Sequence, residues 1–510
     1  MYGFFYALGK GRAVHGRRTM EEAMQYISTR DKQNRVSASA AIVNGLAEDG
    51  GLFVPESIPE ISEAELEFLR DKDYCYRAAY VMQKFLEEFT FDELHESARK
   101  AYSRFEGDPA PLVKIDSGLY VLELWHGPTL AFKDIALTIL PYLLNLSKQK
   151  LGISEQTRIL VATSGDTGKA ALEGFKDVPG TSVTVFYPSD GVSQMQKLQM
   201  ITQEGSNVAV YGVKGNFDDC QTAVKTIFAD RELAGRLKEE GVTLSSANSI
   251  NWGRLLPQIV YYVSAYIDLL DEGQIAYGDK VNFCVPTGNF GDILAGWYAA
   301  GMGIPVNRLI CASNENNVLT DFLQKGEYSI RREFYKTMSP SMDILISSNL
   351  ERLLFENCGR DDALTASRMK ELKDKGSYRI TAEELARIRE IFTGGFAVED
   401  EVIETICDFF SDYNYPLDPH TSVAAFVNAR YAKKSGDKTL TVLLSTANPY
   451  KFPQDVLYAL TGDDVRDSFR ACKRLLAETA MEIPESISEL KTKEKRFQKV
   501  LAAADIKSVV

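Results

Sequence analysis

The 510-residue chain holds only seven cysteines, four histidines and three tryptophans. The cysteines (Cys75, Cys220, Cys284, Cys311, Cys358, Cys407 and Cys472) are odd in number and far apart, with no C-x-x-C pair. That spacing excludes a zinc knuckle, a dithiol redox centre and a disulfide scaffold, and it predicts reduced, packed thiols with no metal site. No run approaches the roughly 18 apolar residues of a membrane helix, and Gly3 to Leu8 is too short for a secretory core, so the expected compartment is the cytoplasm. Positive charge is also short. Lys and Arg total 58 against 71 Asp and Glu, a net charge of -13. A coat for nucleic acid or an anionic membrane is excluded, and any anionic ligand needs a locally built positive site.

What is present is globular: 45% hydrophobic and 25% charged residues with 36 glycines. The chain is too long for one core, so two or more domains with a cleft between them are expected. Residues 1–23 are basic at Arg12, Arg17 and Arg18 and read as an extension outside the fold, with Met20 and Met24 as alternative starts. Ser62 to Tyr102 shows helical periodicity through Leu66, Leu69, Tyr80, Phe85, Phe91 and Leu94. Short apolar runs then recur at Ile159–Ala162, Val183–Tyr187, Val208–Val213, Val281–Val285, Leu309–Ala312 and Leu440–Leu444, which predicts buried parallel strands. Between them lie helical stretches at Lys169–Phe175, Cys220–Lys238, Trp252–Leu270 and Ile293–Ala300. Strand, polar turn and helix in alternation predict an α/β fold, whose ligands sit where strands end and helices begin.

Four turns carry chemistry. In HGPTLAFKD, His126 to Asp134, Lys133 lies between Phe132 and the apolar stretch Ile135 to Leu144. Burial there lowers an amine's pKa and makes it a nucleophile able to form a Schiff base; a lone surface lysine is the commoner fate, so its context decides. TSGDTG, Thr163 to Gly168, follows a strand and opens a helix, where backbone N–H groups and the hydroxyls of Ser164 and Thr167 can hold a carboxylate. A P-loop is excluded, since Thr163 and Ala170 stand where glycine and Ser or Thr are required. PTGNFGD, Pro286 to Asp292, is a second glycine turn, suited to a phosphate. LSTANPYKFP, Leu444 to Pro453, ends a strand with hydroxyls able to meet a neutral ring nitrogen or to bond their own turn. Together, amine, phosphate cradle, hydroxyl and carboxylate turn describe a site for pyridoxal 5'-phosphate.

Taken in order, these four motifs resemble those of the threonine synthase family of fold-type II pyridoxal-phosphate enzymes. The likeness extends to GLFVPESIP (Gly51 to Pro59), YPSDGVSQMQKLQM (Tyr187 to Met200), GNFDDCQ (Gly215 to Gln221), NSINWGRLLPQ (Asn248 to Gln258), SPSMDILISSNLERLLF (Ser339 to Phe355) and DPHTSVAA (Asp418 to Ala425). The Ser339 block and the long N-terminal part resemble the longer bacterial and fungal form. The resemblance implies a lyase that converts O-phospho-L-homoserine and water to L-threonine and phosphate, the last step of threonine biosynthesis. It implies a tryptophan synthase β-like fold: two α/β domains of parallel sheets flanked by helices, plus a helical N-terminal part. The boundaries drawn are 24–105 for the mostly helical N-terminal domain and 156–255 for the small α/β domain. The large cofactor domain takes 106–155 and 256–460 with an insertion at about 321–420, and 461–510 are C-terminal helices.

By resemblance, Lys133 holds the cofactor and moves protons, Gly288, Asn289, Phe290, Gly291 and Asp292 form the phosphate loop, and Thr446 faces the pyridine nitrogen. Ser164, Asp166 and Thr167 are assigned to the substrate carboxylate, and Asn251 and Arg254 to the substrate phosphate. Lys169 either aids that phosphate or caps a solvated helix; His126 and His420 are either structural or proton carriers. The partner expected is the small substrate alone, with neither nucleic acid nor membrane, in a monomer or homodimer. Rival readings are a threonine synthase-like phospho-lyase, another type II lyase such as threonine dehydratase or cysteine synthase, and a non-enzymatic ligand sensor.

Overall fold

Apolar runs and glycine-rich turns alternate along the middle of the chain, and they build two sheets that meet at their strand ends. The computed structural model describes residues 23–510 apart from 164, 190 and 191, and not the side chains at 217, 218 and 229. Residues 1–22 of the expected extension and Ser164 therefore lie outside the described residues.

In chain order, β1 (Gln25–Ser28), β2 (Arg35–Ser37) and β3 (Phe53–Pro55) form a small antiparallel sheet, ordered β2-β1-β3. Next come β4 (Leu112–Asp116), β5 (Leu119–Glu123), β6 (Gln156–Ala162), β7 (Thr181–Pro188), β8 (Val208–Lys214), β9 (Val242–Ser245), β10 (Val281–Pro286) and β11 (Val306–Ser313). The short antiparallel pair β12 (Glu327–Ser329) and β13 (Ser377–Arg379) precedes β14 (Phe392–Phe396), β15 (Thr441–Ser445) and β16 (Val500–Ala502). The larger sheet has the order β14-β11-β10-β15-β5-β4, parallel except at β4 and β5. The smaller one is β16-β8-β7-β6-β9 and parallel throughout. Every residue of β10 and β15 is buried, as central strands covered on both faces require.

A long helix, Trp252–Asp271, is the axis of the large half. Asn251 caps it, and every residue from Trp252 to Ile267 is buried, so its surroundings must be apolar on all sides. The N-terminal part supplies one side. Tyr26 and Phe85 pack on Trp252 with ring centroids 5.4 and 5.6 Å away. Arg77 Nη1 reaches Ser264 Oγ at 2.8 Å and Asp268 at 2.5 Å.

The part at 24–105, expected to be mostly helical, carries the β1–β3 sheet besides its helices Ala38–Asn44, Glu63–Leu69, Tyr74–Phe85 and Phe91–Tyr102. Elsewhere the structure differs from the sequence expectations. The continuous helix expected over Cys220–Lys238 is two, Phe217–Ala229 and Arg231–Glu239, because Asp230 leaves helical geometry and caps the second through Leu233 N–H. The stretch at 321–420 is not wholly an insertion, since β14 is the edge strand of the large sheet. The tail at 461–510 is not all helix, because β16 pairs in parallel with β8.

Arg352 joins these layers. It is fully buried, and it donates from Nε to the Phe53 carbonyl at 3.0 Å, from Nη2 to the Ile250 carbonyl at 2.6 Å, and from Nη1 to Asn349. Burial pushes its guanidinium pKa down to about 10, which still leaves it a cation at neutral pH and in need of acceptors. Replacing it with Met leaves two buried carbonyls unmet, at about 1–3 kcal/mol each. Arg352→Met is expected to destabilise the protein by about 2–5 kcal/mol, read as a fall in the urea midpoint. An unchanged midpoint would show the bonds to be dispensable.

Candidate active site

The loop that carries Lys133 is shaped by its own polar groups. Asp134 is fully buried and accepts from Thr129 N–H at 2.7 Å and Thr129 Oγ1 at 2.6 Å, closing the turn. A side chain at Gly127 would collide with it, its Cβ falling 2.5 Å from Asp134 Cβ. Burial pushes the Asp134 carboxyl up to about 6, against the two bonds from Thr129. The turn is then sewn to the exit of β15: Leu124 N–H donates to Ser445 O, Phe132 N–H to Thr446 O and Asn448 N–H to Leu130 O, at 2.9 to 3.1 Å. Trp125 Nε1 and Thr421 Oγ1 both donate to Ser445 Oγ, at 2.9 and 3.2 Å. Ser445 is thus a strut, whereas the buried Thr446 hydroxyl makes no hydrogen bond among the described residues.

Lys133 opens the short helix Lys133–Leu137 and is 13% exposed at its side chain. Its Nζ lies 4.6 Å from the Phe132 ring centroid, 3.5 Å from Ser341 Oγ and 4.0 Å from Asp166 Oδ2. Burial lowers its pKa below that of an ordinary lysine; Asp166 opposes the shift, while Arg254 and Lys451 reinforce it. The amine is oriented without being locked into a short salt bridge.

PTGNFGD turns at Phe290, whose φ of 64° is left-handed, and it opens the helix Gly291–Gly301. The N–H groups of Gly288, Asn289, Phe290 and Gly291 find no acceptor among the described residues. A Cβ at Gly288 would sit 3.0 Å from the Ser341 carbonyl and 3.2 Å from Met342 Cα, so glycine is needed for the roof to approach. Asn349 N–H donates to Asn289 O at 3.1 Å, which links the turn to Arg352. Asp292 points away into the core: its Oδ1 accepts from Tyr261 at 2.6 Å and Tyr262 at 2.9 Å, and burial raises its pKa to about 6. Of the five loop residues, Asp292 is therefore a brace through Oδ1, while its Oδ2 has no partner among the described residues.

In the TSGDTG turn, Thr163 Oγ1 accepts from Gly165 N–H at 3.0 Å and Gly168 N–H at 3.1 Å, so two of the expected donors are spent inside the turn. Thr167 is half-buried and makes no side-chain hydrogen bond among the described residues. Asp166 departs most from expectation. Its buried carboxylate lies 3.1 Å from Lys451 Nζ and accepts from Ser341 Oγ at 3.3 Å. Burial alone would raise its pKa, but Lys451, Lys133 and His420 outweigh it and hold the group well below the ordinary carboxylate range. A fixed anion repels a substrate carboxylate; Asp166 is a counter-ion to lysines.

Asn251 is likewise spent, with Nδ2 donating to Ile42 O at 2.9 Å and Oδ1 accepting from Gly253 N–H at 2.8 Å. Arg254 remains available. It is 4% exposed and donates from Nη1 to Ala247 O at 2.8 Å, while its Nε has no partner among the described residues and burial lowers its pKa to about 10. Lys169 serves neither expected purpose, being held by Gln203 at 2.5 Å and Glu173 at 3.3 Å. His126 stacks on Trp125 and bonds Glu123 at 2.7 Å. His420 does reach the site: its Nδ1 meets Asp418 at 2.9 Å while Nε2 accepts from Ser341 N–H at 3.2 Å.

Sequence reasoning missed Ser341 and Lys451. Lys451 follows a strand end, the criterion used for the other turns, and could have been found by it. Ser341 arrives on a single 3-10 turn, Pro340–Met342, within a loop without regular periodicity. That loop is pinned by Asp343, which accepts from Asn314 Nδ2 at 2.8 Å, Asn316 Nδ2 at 3.0 Å and Thr337 Oγ1 at 2.8 Å.

Three family descriptions match the chain: Threonine synthase N terminus over residues 25–102, Pyridoxal-phosphate dependent enzyme over 105–446, and Threonine synthase, C-terminal over 421–510. Human threonine synthase-like 1 is 39% identical over 504 residues, covering 94% of this chain, and the chain spans 67% of that relative. The threonine synthase of Saccharomyces cerevisiae is 36% identical over 517 residues, covering 95% of this chain and 96% of its own. The crystal structure of the PLP-bound threonine synthase from Brucella melitensis superposes with a TM-score of 0.85 at 38% identity, covering 96% of this chain and 98% of the other. The architecture is accordingly the α/β fold of type II pyridoxal-phosphate enzymes. With the cofactor-dependent family over residues 105–446 and the two threonine synthase families over the N- and C-terminal parts, the chain belongs to the threonine synthase family of pyridoxal-phosphate-dependent enzymes.

Proposed function

We propose that the chain is a threonine synthase, converting O-phospho-L-homoserine and water to L-threonine and phosphate, with Lys133 as the cofactor-bearing lysine. One observation carries this reading: a poorly solvated amine from the large half faces the other half's Asp166, with its nearest hydrogen-bond acceptor at 3.5 Å. Pyridoxal 5'-phosphate, the cofactor of the family, suits the groups around it. Four unpaired N–H donors at a helix N-terminus suit its phosphate, the Lys133 amine its aldehyde, and the unpaired Thr446 hydroxyl its ring nitrogen. When bound, it supplies an electron sink for the pair left as a proton leaves carbon.

The protein's own groups do the rest. The neutral form of Lys133, favoured by burial, takes and returns protons at the substrate carbons. Arg254, with its free Nε, holds the substrate phosphate. Thr167 and the remaining N–H groups of its turn receive the substrate carboxylate, a task in which Ser164 joins and from which Asp166 and Asn251 are withdrawn. Phe132 and the Ser341 loop exclude water from the amine. The seven unpaired cysteines support a reducing compartment, read here as the cytoplasm.

Because the human relative is named threonine synthase-like, a second reading stands beside this one: a phospho-lyase that releases phosphate without threonine. The deciding measurement is phosphate and threonine formed from O-phospho-L-homoserine by the purified full chain. Equal yields support the synthase, and phosphate without threonine supports the alternative. Lys133→Ala is expected to remove the visible cofactor band and to lower turnover by at least about 10²–10⁴-fold; a coloured, active variant would refute the assignment. Arg254→Met, which removes one charge-assisted bond, is expected to lower kcat/KM for O-phospho-L-homoserine by about 10–100-fold, mostly through KM, with the cofactor band retained.

A further inference from the structure

Lys451 is a second lysine at the site. Its side chain is 1% exposed, and its Nζ donates to the Thr129 carbonyl at 2.7 Å and lies 3.1 Å from Asp166 Oδ1. Gln196 Nε2 donates to the same oxygen at 3.4 Å. The other oxygen, Oδ2, accepts from Ser341 Oγ at 3.3 Å and lies 4.0 Å from Lys133 Nζ. One carboxylate is thus shared between two amines, one on each oxygen. Both lysines come from loops sewn to β15, and the aspartate from the helix Asp166–Phe175 of the small half.

The arrangement has a chemical consequence. A buried carboxylate with a single lysine beside it would hold that lysine as an ammonium, unable to act as a nucleophile or base. A second, fixed cation satisfies the carboxylate and repels positive charge on its neighbour. We propose that Lys451 is a positioning residue for the reactive amine: by occupying Asp166 Oδ1 it divides that carboxylate between two amines, so Lys133 stays oriented through Ser341 yet free to lose its proton. This rests on the reading that Lys133 bears the cofactor.

The charged and titratable groups facing Lys133 are Asp134 on its own helix, Asp166 from the small half, Arg254 on the helix Trp252–Asp271, Lys451 after β15 and Asp292 behind the glycine turn. His420 enters through Ser341, with Nε2 on Ser341 N–H at 3.2 Å and Nδ1 on Asp418 at 2.9 Å. Removing the Lys451 charge therefore shifts the Lys133 nitrogen toward its protonated form, and removing the Asp166 charge shifts it the other way.

The test reads the charge on that nitrogen, rather than activity, as the pH midpoint of the cofactor's visible absorbance band in full-length holoenzyme. Lys451→Gln, which can keep the bond to Thr129, is expected to raise the midpoint by about one unit or more, a tenfold change in the protonation equilibrium. Asp166→Asn is expected to lower it by a similar amount, and Lys451→Arg to leave it close to the parent value. A midpoint unmoved in Lys451→Gln, or shifts of the same sign in Lys451→Gln and Asp166→Asn, would overturn the proposal. Should Lys451→Gln not fold, an unmoved midpoint in Asp166→Asn overturns it equally. A band that survives Lys133→Ala would instead defeat the cofactor-lysine reading beneath it.

Discussion

Depriving one amine of water without letting it settle into an ion pair is the constraint around which this protein is arranged. A lysine at the surface is protonated and inert at neutral pH; a lysine in direct contact with a buried carboxylate is protonated and pinned. Lys133 avoids both because its loop is fixed before its side chain is considered. Asp134 closes the turn, three backbone bonds tie it to the β15 exit, and Asp166 stands at 4.0 Å rather than in contact. The position of Nζ is thus a property of backbone hydrogen bonding, which tolerates little drift.

Electrostatics at the site run against the chain as a whole. A protein of net charge -13 gathers Lys133, Lys451 and Arg254 at one site, and among the described residues the carboxylate between the lysines is Asp166, itself held ionised by them. A phosphorylated cofactor and a phosphorylated substrate both need such a local reversal of sign. Most of these charges are buried, so salt screens them far less than surface pairs.

The sequence was legible where a local rule applied. Apolar runs ending in Gly, Ser or Asn marked the six expected strands, and glycine with polar residues at their exits marked the turns that converge. It was least legible where function depends on a partner distant in the chain. Asp166 and Asn251 have the right chemistry to bind ligand, but Lys451 and Ile42, far away in sequence, claim their side chains. Asp292 follows the glycines of its motif, yet two tyrosines of the long helix turn it inward. Strands β9, β14 and β16 escaped notice for a related reason. Each is short, and β14 contains two glycines, so the pairing partner rather than its own residues makes it a strand.

That last strand has a consequence for the order in which the protein matures. Translation delivers β8 long before β16, and until residue 500 emerges the edge of the smaller sheet exposes an unpaired ladder to any other strand nearby. Lys133 and its sewn loop, by contrast, draw their ties from residues no later than Lys451. A nascent chain would therefore complete the loop that holds Lys133 before the edge strand β8 finds its partner.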